Sequence, residues 1–126
     1  MVKFLDLNFI HDNLKKDIFQ SLEDLCDNSA FIGGQSIASF ESNFAEYCGS
    51  KYCLGVGNGT DALEIALESL DLPKNSEVLV QANSFIATSE AVTRSGLNVV
   101  FVDVDPDTLQ ICLTDLERKI TPNTKI

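Results

Sequence analysis

The sequence predicts an α/β fold made of βαβ units around a mostly parallel sheet, and it predicts that fold to be incomplete. Two observations carry the fold class. Beyond residue 50, strand-like apolar runs alternate with helix-periodic stretches, and the loops between them are short. A third observation carries the incompleteness. Few strands are visible, and the closing TPNTKI reads as a turn heading into a further element. A parallel sheet needs both faces and its central strands covered. The expectation is a single partial domain, the front part of a larger protein. Residues 1–50 form its helical amino-terminal segment and residues 51–126 its βαβ units.

The elements follow in order. Leu14, Ile18, Phe19, Leu22, Leu25 and Cys26 have the spacing of an amphipathic helix over 12–27, with Asp12 as its N-cap. Gly33 and Gly34 break it. A second helix is expected from Ser36, with Ile37, Phe40, Phe44 and Tyr47 on one face and Gly49 as its stop. YCLGVG (52–57) reads as a short strand and Thr60 to Leu70 as a helix. EVLVQ (77–81) reads as a strand, and Phe85 to Ser95 as a helix ending at Gly96. NVVFVDV (98–104) is the clearest strand, and Thr114 to Glu117 has capping-box spacing at the start of one more short helix.

Composition narrows the function classes. The chain has 126 residues, 44% hydrophobic and 22% charged, with a mean hydropathy of +0.07, as in an ordinary globular protein. Its formal net charge of −10 and pI near 4.3 disfavour nucleic acid and anionic membranes as partners. The start, MVKFLDLNFIH, reads as neither a signal peptide nor a membrane span, which makes the cytoplasm the default address. Cys26, Cys48, Cys53 and Cys112 form no C-x-x-C pair and His11 is the single histidine, so a zinc site is not expected. The cysteines read as reduced, structural thiols.

The glycine-rich stretch GVGNGTDAL (55–63) is the first candidate for chemistry. A dinucleotide fingerprint would need glycine at Thr60 and an acidic residue after the next strand, where Gln81 and Asn83 stand. A P-loop would need a lysine after the glycines, and none follows. What remains is a glycine turn with Thr60 and Asp61 at a helix start, which offers N–H groups, a hydroxyl and the helix dipole to one phosphate. Asp61 fits beside a phosphate only if it points away or caps the helix, and Glu64 gives it capping-box spacing. The same residues equally suit a bare βα turn with a polar cap.

The second candidate is QANSFIATSEAV (81–92), which leaves a strand through small and polar residues with Phe85 in the turn. Phe85 could stack on a flat ring at the ligand face of the sheet, or pack beneath the helix. The third is VDVDPDT (102–108). Asp103, Asp105 and Asp107 alternate as in an EF-hand loop, but Thr108 and Thr114 stand where glycine and glutamate belong. A turn at Pro106 is the expected reading. No metal site is expected. His11 reads as a surface residue, and no Ser/His/Asp order or reactive-cysteine signature is present.

Together these stretches resemble the opening of the DegT/DnrJ/EryC1/StrS family, pyridoxal-phosphate-dependent sugar aminotransferases of the fold-type-I class. The matching pieces are VKFLDL, the run from FIGGQ to GVGNGTDALEIAL, NSFIATSEAV, VVFVDVDPDT and ITPNTK, in that order. The resemblance implies that the chain is the amino-terminal part of the large domain. It implies that Gly59, Thr60 and Asp61 cradle the phosphate of pyridoxal phosphate, largely through main-chain amides, and that Phe85 stacks on its ring. It implies a homodimer that moves an amino group from glutamate to a nucleotide-linked keto-sugar, in deoxyamino-sugar and polysaccharide or O-antigen biosynthesis. The family's ring-pairing aspartate and cofactor-binding lysine belong to a downstream region that none of the lysines here matches, so no catalytic residue is assigned and the chain alone is expected to be inactive. A sugar dehydratase of the same family, using the pyridoxamine form, and a non-catalytic folded remnant stay open beside that reading.

Overall fold

A computed structural model describes residues 4–126. The chain divides into two compact units, Met1–Gly55 and Val56–Ile126.

The first unit is helical. Helix α1 spans Asn8–Asp27 and α2 spans Gln35–Cys48. The expected N-cap at Asp12 is corrected: Asp12 lies inside α1, and Asp6 takes the Asn8 N–H at 3.0 Å one turn earlier. A carboxylate just ahead of a helix satisfies one of its orphan donors, which is the role expected of Asp12. Gly49 ends α2 in the left-handed region at φ 66°, as expected of a C-terminal glycine. Phe40 and Phe44 stack along α2 with ring centroids 5.5 Å apart. Residues 52–57 are not a strand, contrary to expectation. An isolated apolar run cannot be a strand without a ladder partner. The Gly55 N–H goes instead to Glu41 Oε1 at 2.7 Å.

The second unit holds the sheet. In order it runs α3 (Gly59–Glu68), β1 (Glu77–Gln81), α4 (Ile86–Arg94), β2 (Asn98–Val102) and α5 (Leu113–Lys119). Strands β1 and β2 pair in parallel, with Val78 opposite Val99 and Val80 opposite Phe101, and α4 is the crossover between them. Along β1, Val78 and Val80 are buried while Glu77, Leu79 and Gln81 are half-buried, the period of two that a strand imposes. Val78, Val80, Val92 and Leu97 form the core, with Leu67, Leu72 and Val99 packed against it.

The closing residues are more than a turn. Asn123 O accepts from Glu77 N–H, Glu77 O accepts from Lys125 N–H, and Ile126 O accepts from Leu79 N–H, all at 2.8–2.9 Å. Strand β1 is therefore flanked on both sides, by β2 and by residues 123–126. The Glu77 carboxylate also accepts from the hydroxyls of Thr121 (2.5 Å) and Thr124 (3.1 Å), which fixes the register of this third line.

Two further expectations are corrected. Strand β2 ends at Val102, and Val104 pairs antiparallel with Ile111 across the Asp105 turn. The capping box at Thr114 does not form. Helix α5 begins at Leu113 with Cys112 at its N-cap position and no side-chain cap, so Thr114 already lies inside the helix and its hydroxyl is not placed to cap the first turn.

Candidate functional site

The site is built on the start of α3. Asn58 is extended and its Oδ1 accepts the Asp61 N–H at 3.0 Å, while its Nδ2 donates to Asp61 Oδ2 at 2.9 Å. The cap is thus Asn58, with Asp61 as its return partner, and the expected pairing of Asp61 with Glu64 is corrected. Glu64 faces α4, where its Oε2 lies 2.8 Å from Arg94 Nε, and its carbonyl accepts from Ser95 Oγ at 3.4 Å. Asparagine caps better than a residue already inside the turn, because its extended backbone aims the side chain at the N3 amide.

The two glycines of the turn have different causes. A Cβ on Gly57 would fall 2.9 Å from Asp61 Oδ2, so a side chain there would push that carboxylate out of its place against the turn. A Cβ on Gly59 would meet nothing within 4 Å, so its lack of a side chain leaves open space over the first turn. The Gly59 N–H, the Thr60 N–H and the half-buried Thr60 hydroxyl have no acceptor among the described residues. The Asp61 N–H is already taken by Asn58, and its carboxylate is held by the same amide. These residues fit a phosphate: free donors at a helix start, open space beside the Gly59 α-carbon, and the Asp61 carboxylate tied back to Asn58.

Phe85 is the N-cap position of α4, the helix that packs against α3. Phe85 is 77% exposed and has no ring partner among the described residues, so it does not pack beneath the helix. Helices α3 and α4 thus each bring one of the expected features to its own amino end. Ser84 Oγ and Thr88 Oγ1 lie 3.1 Å apart across the turn that carries Phe85.

Sequence reasoning missed Gln81. Its Nε2 donates to Leu109 O at 3.0 Å and reaches Asn83 O at 3.4 Å. Its place at the carboxyl end of β1 was a signal that could have found it, since that is the ligand face of a parallel sheet.

The aspartate run proves structural. Asp105 Oδ1 accepts from the Asp107 and Thr108 N–H groups and the Thr108 hydroxyl. The Thr108 N–H chiefly holds its carboxyl below the ordinary value. The described residues contain no group of three or more His, Cys, Asp or Glu placed to hold a metal ion. Asp115 is buried and accepts from Asp103 N–H and Lys119 Nζ, each at 2.8 Å, and from Arg118. The Asp103 N–H first, then Lys119, lower its carboxyl to about 2. His11 lies on the exposed surface of α1, and all four cysteines are free thiols. No helix among the described residues is long and apolar enough to cross a membrane.

The model of the DegT/DnrJ/EryC1/StrS aminotransferase family matches residues 12–126. The chain belongs to this family. Among curated DegT/DnrJ/EryC1/StrS relatives, the dTDP-3-amino-3,6-dideoxy-alpha-D-galactopyranose transaminase of Aneurinibacillus thermoaerophilus is 38% identical over 125 residues, covering 99% of this chain and 34% of its own. The crystal structure of NtdA from Bacillus subtilis with bound cofactor PMP is 34% identical, with a TM-score of 0.89 over 98% of this chain and 29% of its own. The E. coli GDP-4-keto-6-deoxy-D-mannose-3-dehydratase with bound hydrated PLP is 31% identical, with a TM-score of 0.78 over 85% of this chain and 29% of its own. The chain spans about a third of the length of the curated relatives it matches.

Proposed function

We propose that this chain contributes the phosphate cup and one ring-stacking wall of a pyridoxal-phosphate-dependent aminotransferase. The observation that carries the proposal is the set of unengaged donors on Gly59 and Thr60 at the start of α3, where a Cβ on Gly59 would meet nothing within 4 Å. In this reading Gly59 and Thr60 bind the phosphate, Asp61 shapes the turn through Asn58, and Phe85 covers one face of the ring. When bound, pyridoxal phosphate supplies the electron sink that lets an amino group move between carbon skeletons. The residues here bind and orient it. They hold no proton for transfer, so the 126-residue chain alone is expected to show no turnover.

The substrate of the whole enzyme is a nucleotide-linked keto-sugar, with glutamate as amino donor, and the working form is a homodimer. The names of the relatives, transaminases of dTDP- and UDP-linked sugars, support the substrate class. A dehydratase reading has one supporting observation, the likeness to the E. coli GDP-sugar dehydratase over most of the chain.

The test is titration followed by NMR. Inorganic phosphate should shift the Gly59 and Thr60 amides, and pyridoxal phosphate should shift those amides and the Phe85 ring. Shifts absent from all three, or confined to other residues, would sink the reading.

A further inference from the structure

The carboxyl end of β1 carries a link that the phosphate cup does not use. Gln81 is the last residue of β1, and its side-chain amide reaches two backbone carbonyls on different loops. One is Asn83 O, at 3.4 Å, in the loop that leads to Phe85. The other is Leu109 O, at 3.0 Å, 28 positions away in the turn after β2. One nitrogen thus bridges the Phe85 loop and the Asp105–Gln110 turn.

That turn needs holding. Leu109 adopts φ 58°, a left-handed conformation that crowds any side chain with a Cβ. Its own N–H goes to Asp105 O at 2.8 Å, and Asp105 N–H goes to Gln110 O at 2.9 Å. The Asp105 carboxylate closes the near side of the turn through Asp107 and Thr108. Gln81 supplies the side-chain bond from outside the turn, to the carbonyl of the strained residue. Strain persists only where surrounding bonds over-determine the conformation, and it gathers near ligand faces.

We propose that Gln81 is a positioning residue, whose amide couples the Phe85 loop to the Asp105–Gln110 turn and so sets the stacking wall. The coupling stands on geometry alone. Its consequence for the cofactor rests on the reading of Phe85 given above.

Gln81→Met tests it, since methionine keeps the length and removes the donor. Amide exchange, normalised to intrinsic rates, should rise roughly fivefold at Asp105 and Leu109 and also at Ala82 and Thr88, the factor one ordinary hydrogen bond confers. Exchange at Val100 and in α3 should not move. A rise in one loop only, or in neither, would overturn the coupling. If exchange rises throughout the chain, Gln81→Glu decides the matter, because it regains an O–H donor below pH about 4. Its normalised exchange should then return toward wild type in both loops as the pH falls. A defect in Gln81→Glu that ignores pH would overturn the proposal.

Pyridoxal phosphate titration separates this proposal from the reading beneath it. If the wild-type Phe85 ring does not respond, the cofactor reading falls and the exchange data alone judge the coupling. If it responds, Gln81→Met should weaken the response about fivefold. An unchanged response in that variant would remove Gln81 from the positioning of Phe85.

Discussion

Asn58 and Asp61 close the first turn of α3 reciprocally, the asparagine accepting from the aspartate's N–H at 3.0 Å and donating to its carboxylate at 2.9 Å. In the proposed phosphate cup, this pair would let the donors lie beside an acidic residue. The carboxylate that would repel a phosphate is occupied, and the turn is held by side chains, so the donors of Gly59 and Thr60 stay available.

Asn58→Ala removes both halves of that exchange. It should lower stability by about 1 kcal/mol, the ordinary worth of an N-cap. Urea denaturation measures the loss, and faster exchange of the Asp61 amide locates it.

Gly57 and Gly59 should separate cleanly under the same substitution. Gly57→Ala puts a methyl 2.9 Å from Asp61 Oδ2 and should cost about 1 kcal/mol, roughly the hydrogen bond it displaces. In an Asp61→Ala background that cost should largely vanish, as a double-mutant cycle would record. Gly59→Ala meets nothing and should leave stability unchanged or slightly raised. It should nonetheless weaken the amide shifts that phosphate produces, since its methyl enters the space over the donors.

The Glu64–Arg94 pair joins α3 to α4 at 2.8 Å, with Arg94 half in solvent. Glu64→Gln should cost about 0.5 kcal/mol at low salt and less at high salt, because an exposed partner is screened. A cycle with Arg94→Ala, run at both salt concentrations, gives the coupling and its salt dependence.

Asp115 should write an acid limb into the stability curve. Its carboxyl is held at about 2, first by the Asp103 N–H and then by Lys119, against an ordinary 3.8. A depressed carboxyl stabilises the fold above the ordinary value, and that stabilisation is lost as the pH falls through about 2. Urea midpoints should therefore fall between pH about 4 and pH about 2. Asp115→Asn should be less stable at neutral pH and should flatten that limb.

The parallel βαβ core was legible because its signals are local and repeat. Val78 and Val80 alternate with half-buried neighbours, and Gly49 and Gly96 stop their helices at positive φ. The family was legible because several short motifs stand in one order along the chain. What escapes the sequence depends on partners distant along it. Residues 52–57 have strand composition but no strand beside them. Thr114 and Glu117 have the spacing of a capping box, yet the helix already begins at Leu113, and the carboxylate of Asp115 goes to the Asp103 N–H, 12 positions away. The identity of residue 64 suggests Asp61 as a cap, when the better acceptor stands three positions before it in Asn58. Gln81 shows its place at the carboxyl end of β1, but not its partner, because its bond to Leu109 spans 28 positions.

The clamp of Glu77 on Thr124 joins positions 47 apart, and this separation sets an order of assembly. Strand β1 can pair with β2 as soon as Val102 is made, since α4 alone separates them. Its opposite edge must wait for residues 123–126, so closing that side costs the entropy of a longer loop. During synthesis, β1 therefore passes through an interval with one edge bare, and a nascent chain is most open to wrong strand pairing in that interval. The two threonine hydroxyls on the Glu77 carboxylate mark where the interval ends.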